Sequence, residues 1–232
     1  MRDRAVMRGG PVTMSAQDYL KTIYVLEVAG GPVTTNVLAD RVGVAAPSVT
    51  AMMKRLASDG LVTHLPYRGV RLTARGTAAA LRVVRRHRLI EAFLHDVVGV
   101  PWDEVHDEAE VLEHVVSDQL EDRIAALLGH PHRDCHGDPI PPKRGPHREL
   151  VDEPLDRVPP GARVRVERVS DRDPAALRYF ARRGIGLGTE FVVVDRSDLG
   201  GATWIRIGRR RHPLEPALAR AMFVSIIEGE AS

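Results

Sequence analysis

The chain has 232 residues, 44% of them hydrophobic, enough to bury a real core and to fill two or three small domains. Its single cysteine, Cys135, excludes an intrachain disulfide, and no apolar run is long enough for a secretory signal or a membrane span, so a cytoplasmic protein with no membrane partner is expected. The net charge of +2 hides an asymmetry: residues 1–99 carry +7, residues 100–160 carry −9 and residues 161–232 carry +4, as suits a basic amino-terminal part facing a polyanion and an acidic middle holding a cation.

Residues 1–13, with Arg2, Arg4, Arg8 and the breaker Gly9-Gly10-Pro11, read as a loose arm. A first helix follows, with Ser15 as N-cap, Asp18 at its third position and an apolar face of Leu20, Ile23, Tyr24 and Leu26 to Val28, ending at Gly30-Gly31. Thr34-Thr35 caps a short second helix through Val42. Gly43-Val44 turns the chain, and Pro47 opens a third helix over Ser48 to Ser58, stopped by Gly60. Two short strands, Leu61 to Leu65 and Val70 to Thr73, pair around Pro66-Tyr67-Arg68-Gly69. That order over residues 1–75 is a winged helix-turn-helix.

In the third helix Ala51, Met52, Leu56 and Ala57 are expected to pack inward, while Pro47, Ser48, Thr50, Ala51 and Lys54 approach the exposed face. Short Ser, Thr and Ala side chains can touch base edges and thymine methyls in a major groove, and Lys54 and Arg55 can reach phosphate. Arg68 at the wing tip, with Arg71 and Arg75, is a candidate backbone or minor-groove contact. Any one of these arginines alone reads equally well as a solvated cation.

A long helix is expected from Ala74 to Val98, on which His87, Glu91 and His95 share a face at four-residue steps; a lone His95 fits a surface or core role better than a ligand role. From Asp103 to Asp122 there are nine Asp or Glu, two His and no Lys or Arg. On a helix His106, Glu110, Glu113 and His114 fall within an arc of roughly 100°, with Val111, Leu112, Val115 and Val116 opposite. Such spacing always permits a solvated charged face. Unmixed charge at i,i+4 repels, however, and interleaved His and carboxylate without thiolate suits a divalent metal. Ser117-Asp118 caps a further helix, Gln119 to Leu128, and the surplus of apolar positions predicts a homodimer interface.

Residues 76–142 are thus expected to form a helical dimerisation and metal-binding domain. The Pro/Gly-rich run from 129 reads as linker, with residues 143–160 as the tether proper; Cys135-His136-Gly137-Asp138-Pro139 lies within it and lacks a second Cys to support a metal site. Residues 161–232 alternate as strands at Ala162 to Val169, Glu190 to Asp195, Trp204 to Ile207 and Met222 to Ile227, with short helices at Pro174 to Arg183 and Glu215 to Ala221, the pattern of a small barrel. Gly184-Ile185-Gly186-Leu187-Gly188 precedes a strand rather than a helix, so it is read as turn chemistry and not a phosphate loop. The fold class expected is mainly α with small β parts.

Over nearly its whole length the chain resembles the iron- and manganese-dependent repressors of the diphtheria toxin repressor family. The residues that carry the likeness are Asp18 to Tyr24, Pro47-Ser48-Val49-Thr50, Arg86-His87-Arg88-Leu89, Val105 to Glu110 and Glu113 to Asp118. The resemblance implies a winged helix, a helical dimerisation domain bearing metal and a carboxy-terminal SH3-like β-barrel. It also implies a primary metal site of Asp18, Glu110, Glu113 and His114, and a second of His87, Glu91 and His106 with Asp173 from the barrel. Iron-sensing members carry Met where Asp18 stands and Cys where Glu110 stands, whereas manganese-sensing members carry carboxylates, which suit the harder Mn(II) ion. Short manganese regulators have Glu in place of Lys21, which in its charged form cannot ligate, so their bridged metal pair is not expected here.

The function expected is a manganese(II)-dependent repressor of metal uptake genes that binds palindromic double-stranded operator DNA as a homodimer and takes no small-molecule substrate. Iron(II) is the alternative effector. A metallohydrolase is the alternative from another class, disfavoured because no H-E-x-x-H or paired nucleophile is present. A winged-helix regulator whose metals are only structural is the third.

Overall fold

The computed structural model describes residues 13–65, 69–145, 147, 152–196 and 201–227; Arg2, Arg4, Arg8 and the wing-tip Arg68 lie outside the described residues. By its internal contacts the chain divides into two units, Met1–Arg86 and His87–Ser232. No helix among the described residues is long and apolar enough to cross a membrane.

The first unit contains α1 (Met14–Val28), α2 (Thr35–Val42), α3 (Ala46–Ser58) and a hairpin of β1 (Val62–Leu65) with β2 (Gly69–Leu72), followed by the first turns of α4 (Ala74–Phe93). The α2–α3 turn forms because Thr34 caps α2, its hydroxyl accepting from the Val37 amide, and Gly43 ends that helix in the left-handed region that only glycine enters at little cost. The core is apolar: Leu20, Ile23, Leu38, Val49, Leu56 and Ala80 are buried within one cluster. Gly69 fits where no other residue could, at φ +92° with a Cβ position 1.9 Å from the Val33 carbonyl oxygen. That approach lets Val33 accept from the Val70 amide and seats the hairpin.

Two local expectations change. The first helix starts at Met14 with Thr13 as N-cap, so Asp18 is its fifth residue and capping does not account for it. On α3 the inward positions are Val49, Met53 and Leu56, whereas Ala51 is exposed and Met52 half-buried. The three-to-four-residue spacing of that buried set is the helical period read one step along.

In the second unit α4 ends at Phe93 and the chain continues through a π-helical turn, Leu94–Val98, closed by Gly99 at φ +83°. Then come α5 (Val105–Leu112) and α6 (Asp118–Leu127), the latter capped by the Ser117 hydroxyl accepting from the Leu120 amide. After them the sheet domain runs β3 (Glu153–Pro154), a 3-10 turn at Leu155–Arg157, β4 (Arg163–Val169), α7 (Pro174–Ala181), β5 (Glu190–Arg196), β6 (Thr203–Ile207), β7 (Arg210–Leu214), α8 (Pro216–Ala221) and β8 (Met222–Ile226). The six strands form an antiparallel sheet in the order β3-β8-β4-β5-β6-β7, over a core including Val164, Phe180, Val193, Ile205 and Leu214.

The linker readings are corrected at both ends. Glu153 and Pro154 pair with β8, and Leu155 and Val158 are fully buried in the sheet core, so this domain starts well before residue 161. Upstream, residues 133–140 are packed rather than loose: Ile140 joins the cluster of Leu89, Ile124 and Ala125, and His136 has no exposed surface. The Pro and Gly content there serves tight turns. Gly137 sits at φ +87°, and a Cβ on it would meet the Glu167 carbonyl oxygen at 2.1 Å.

Candidate metal centre

The centre in the second unit begins with α4. His87 and Glu91 are one turn apart on a face that is buried, 6% and 1% exposed, and His87 Nε2 lies 3.1 Å from Glu91 Oε1. Buried charge of this kind needs partners, and α5 delivers them. His106 Nδ1 stands 3.3 Å from Glu91 Oε1 and 3.2 Å from His87 Nε2. Glu110, one turn on, puts Oε1 3.6 Å from His106 Nε2. Glu113, at the C-cap of α5 and with no exposed surface, places Oε2 2.5 Å from His87 Nδ1, and His114 Nε2 lies 3.6 Å from Glu113 Oε1. His87 thus joins two carboxylates through its two ring nitrogens.

The sheet domain contributes Asp171, whose Oδ2 lies 3.1 Å from His106 Nδ1. The expected contributor Asp173 does something else: it is the N-cap of α7, exposed, its carboxylate accepting from the Ala175 amide at 2.9 Å. Asp-Pro at the start of a helix is a capping signature, and it claims Asp173 for local structure. Asp171, two residues earlier in the turn after β4, is the group that reaches the cluster.

A further set was not anticipated. Glu91, Asp134 and His136 are all buried, and one ligand atom of each lies within 4.8 Å of the others. The turn that holds them is built by Asp134, whose Oδ1 accepts from the amides of His136 and Asp138, both at 2.9 Å. Arg88 fixes it to α4, donating to the Pro139 carbonyl at 2.5 Å and to Asp138 at 3.3 Å. Cys135, between the two donors, is half-buried, and burial pushes its thiol far above the ordinary range. In the sequence the thiol is the conspicuous group; the donors are its neighbours on either side. His95 joins none of these sets, its Nδ1 lying 3.1 Å from the Val100 carbonyl oxygen.

The electrostatics describe an anionic site. Hydrogen bonds to Asp171 and Glu91 raise His106 from 6.5 to about 10, against the opposing effect of burial. Burial pushes the Glu91 carboxyl up, but His87, His106 and His136 together hold it well below the usual carboxylate range. Asp134 is pushed well up by burial, with Asp138 and Glu91 adding to the rise. The carboxylates of Asp171 and Glu91 draw positive charge onto the imidazole of His106, and a divalent cation with nitrogen and oxygen preference fits the same donors.

In the first unit Asp18 is half-buried on α1. On α3, Pro47, Ser48, Thr50, Ala51 and Lys54 form an exposed face of short side chains with a cation, and the Thr50 hydroxyl donates to the Ala46 carbonyl at 3.1 Å. Lys54 sits one turn after Thr50, on the same face.

Three family models match the chain in succession: an iron-dependent repressor N-terminal DNA-binding domain over residues 12–70, an iron-dependent repressor metal-binding and dimerisation domain over 73–142, and a FeoA domain over 153–226. The diphtheria toxin repressor of Corynebacterium glutamicum is 32% identical over 221 residues, 91% of this chain and 96% of that protein. The iron-dependent repressor IdeR of Mycobacterium tuberculosis is 42% identical over 123 residues, so the chain spans 54% of that protein's length and about half of its own is matched. Among solved structures, a manganese-dependent transcriptional repressor in complex with manganese is 43% identical with a TM-score of 0.86, covering 91% of this chain and all of that one. These relatives are repressors and not enzymes, and the order of domains and the likeness over nearly the full length agree: the chain belongs to the diphtheria toxin repressor family of metal-dependent, DNA-binding transcriptional repressors.

Proposed function

We propose that this repressor responds to manganese(II) and, when loaded, binds a palindromic operator as a homodimer to shut off metal uptake genes. The observation that carries the reading is the donor chemistry: among the described residues the ligand clusters of the second unit contain only His, Asp and Glu, and Cys135 joins none of them. Mn(II) sits low in the divalent stability order and is favoured by oxygen-rich sites, whereas softer ions gain from thiolate or thioether. By the family resemblance, Asp18 and Glu110 stand where iron-sensing members carry Met and Cys. The likeness to solved manganese-dependent repressors supports the same reading.

Two ion-binding sets are proposed. The first joins Asp18 of α1 to Glu110, Glu113 and His114, on the strength of the resemblance and of the donor chemistry. The second is centred on His87, Glu91 and His106, with Asp171 in the place first expected for Asp173. A bound divalent cation supplies the positive charge that these carboxylates otherwise lack. Asp18 and the α5 carboxylates then no longer repel, and the many arrangements of the reading heads narrow to those compatible with successive major grooves about 34 Å apart. Ser48, Thr50 and Ala51 meet base edges, Pro47 sets the entry of α3, and Lys54 with Arg68 meets phosphate. Exposed Val97, Val98, Val111, Val115, Leu120 and Leu127 supply apolar surface for the second copy.

Curated relatives named as iron-dependent repressors make iron(II) the competing effector. Operator-binding curves with Mn(II) and Fe(II), measured anaerobically, separate the two. Tighter activation by Fe(II) at equal free ion defeats the manganese assignment.

A further inference from the structure

We infer that the β6–β7 ribbon of the sheet domain is a second polyanion-binding surface, which grips the phosphate backbone of duplex DNA in addition to the contacts proposed for α3. The inference deepens the proposed function in one respect only, that DNA is the polyanion at hand.

The register of the ribbon decides which side chains share its outer face. Trp204 lies opposite Pro213 and Arg206 opposite Arg211. Thr203, Ile205 and Leu214 point into the core, whereas Trp204, Arg206, Arg211 and Pro213 are exposed. Two guanidinium-bearing residues therefore face solvent on directly paired positions, and exposed Arg209 in the turn and Arg210 at the start of β7 add to them. The row continues inward, since Val192 of β5 pairs with Arg206 on one side and with Arg163 of β4 on the other. There the charge is compensated: Arg163 and Arg165 both donate to the Glu190 carboxylate, at 2.8 and 2.7 Å. On the ribbon it is not. Among the described residues no carboxylate pairs with Arg206, Arg209, Arg210 or Arg211, and the bond Arg206 makes is to the Gly208 carbonyl at 3.5 Å. Of the two acids on β5, Glu190 is already engaged by Arg163 and Arg165, and Asp195, opposite Trp204, accepts from the Arg196 amide.

Like charges directly opposite across paired strands are unfavourable, so the fold does not ask for this pair. Protection of an exposed sheet edge explains part of it: β7 is the edge strand, and charges and a proline there deter pairing with another chain. That reason does not extend to Arg206, which sits on β6, a strand paired on both sides. An external anion reverses the sign of the interaction, and two planar guanidinium forks on adjacent strands suit phosphate oxygens. Of the polyanions available, DNA is favoured because the family's amino-terminal domain already binds it. A second contact on the same polymer then forms at a high effective concentration.

The test uses the full chain and a fluorescent random-sequence duplex of about 40 base pairs, with affinity followed from low to moderate salt by anisotropy. Removing one cation that neutralises a phosphate lowers the slope of log affinity against log salt by about 0.9. Arg206→Gln with Arg211→Gln is expected to reduce the slope by nearly two and to weaken binding at fixed salt at least about tenfold, with the melting temperature unchanged or higher. Arg182→Gln with Arg220→Gln removes the same charge from exposed positions at the C-cap of α7 and within α8, and is expected to leave the slope within a few tenths of the parent. Equal effects of the two double variants, no effect of the first, or no duplex binding by the parent at low salt overturns the inference, as does a preference for polyglutamate of equal charge over the duplex. Loss of the Mn(II) response of operator binding with the slope difference intact breaks the proposed function and leaves the ribbon standing.

Discussion

The donors of the candidate centre come from two kinds of backbone. His87, Glu91, His106 and Glu110 stand on helices, in i,i+4 pairs whose proximity follows from helical geometry alone. Asp134, His136 and Asp171 stand on turns, and reach the same centre because distant packing carries them there. For the helical pairs, two residues four apart are neighbours whatever the rest of the protein does. For the turn residues, position depends on Arg88 holding the 134–139 turn, on Gly137 closing against β4, and on the turn that follows β4. Helical donors therefore respond to substitution individually, whereas turn donors respond to anything that shifts their scaffold.

The largest expected effect breaks the division between the two kinds, at the one residue that belongs to both. Glu91 is within 4.8 Å of ligand atoms from His87, His106 and Asp171, and equally of Asp134 and His136. Glu91→Gln keeps the shape and removes the charge. Loss of a supporting partner alone typically costs 10–100-fold in metal affinity, so loss of this shared ligand is expected to weaken Mn(II) binding in the second set by about 100-fold or more. Isothermal titration of the full chain reads it; a change under about threefold shows that Glu91 does not ligate. Next in size is Asp18→Ala. Operator affinity of the variant is expected to lose its rise with Mn(II), by about 10–100-fold at saturating ion, with circular dichroism unchanged. Retention of the full rise removes Asp18 from the proposed primary set.

What the sequence made legible follows the same line. The helix-turn-helix order, the capping by Thr34 and Ser117, and the His87–Glu91 pair were readable because each rests on local geometry or helical period, whereas His106 was grouped with that pair only through the family resemblance. The acidic stretch from Asp103 was readable because unmixed charge is abnormal on a free helix. Asp134 and His136 were not, because a Pro/Gly-rich run looks the same whether it is loose or closes a tight turn. Only an account of where the buried face of α4 beyond Leu89 finds cover could have suggested that this run packs. Asp171 lost to Asp173 for a related reason: both are aspartates of one short turn, and the proline after Asp173, which marks it as a cap, was the available sign that its carboxylate was already engaged. β7 escaped notice because Arg210-Arg211-His212-Pro213 has no alternation of apolar and polar residues, as befits an edge strand.

Gly137→Ala sharpens the comparison from the scaffold side. A Cβ 2.1 Å from the Glu167 carbonyl oxygen, at φ +87°, forces the turn off β4, and about 1–3 kcal/mol of stability is expected to go with it. Mn(II) affinity of the second set falls with it although no donor has changed, while a helical substitution of similar cost, Ala80→Gly, is expected to lower the melting temperature and spare the metal. Equal metal affinity in both variants shows the 134–138 turn to be irrelevant to the ion.

The smallest and most discriminating contrast lies two residues apart. Asp171→Asn removes the carboxylate that lies 3.1 Å from His106 Nδ1, in a turn with no other demand on it that metal binding would share. Mn(II) affinity is expected to drop about tenfold, the lower end for a single peripheral carboxylate, with little change in melting temperature. Asp173→Ala instead removes the acceptor for the Ala175 amide at the start of α7. It is expected to cost about 1 kcal/mol of stability and to leave the titration unchanged. The two variants carry the same change in charge on the same short turn, so long-range electrostatics moves both alike and cancels from the comparison. A reversal, with metal affinity following Asp173 and stability following Asp171, returns the ligand to the position that the family resemblance first gave it, and it would mean that in the loaded protein the start of α7 unwinds to release its cap.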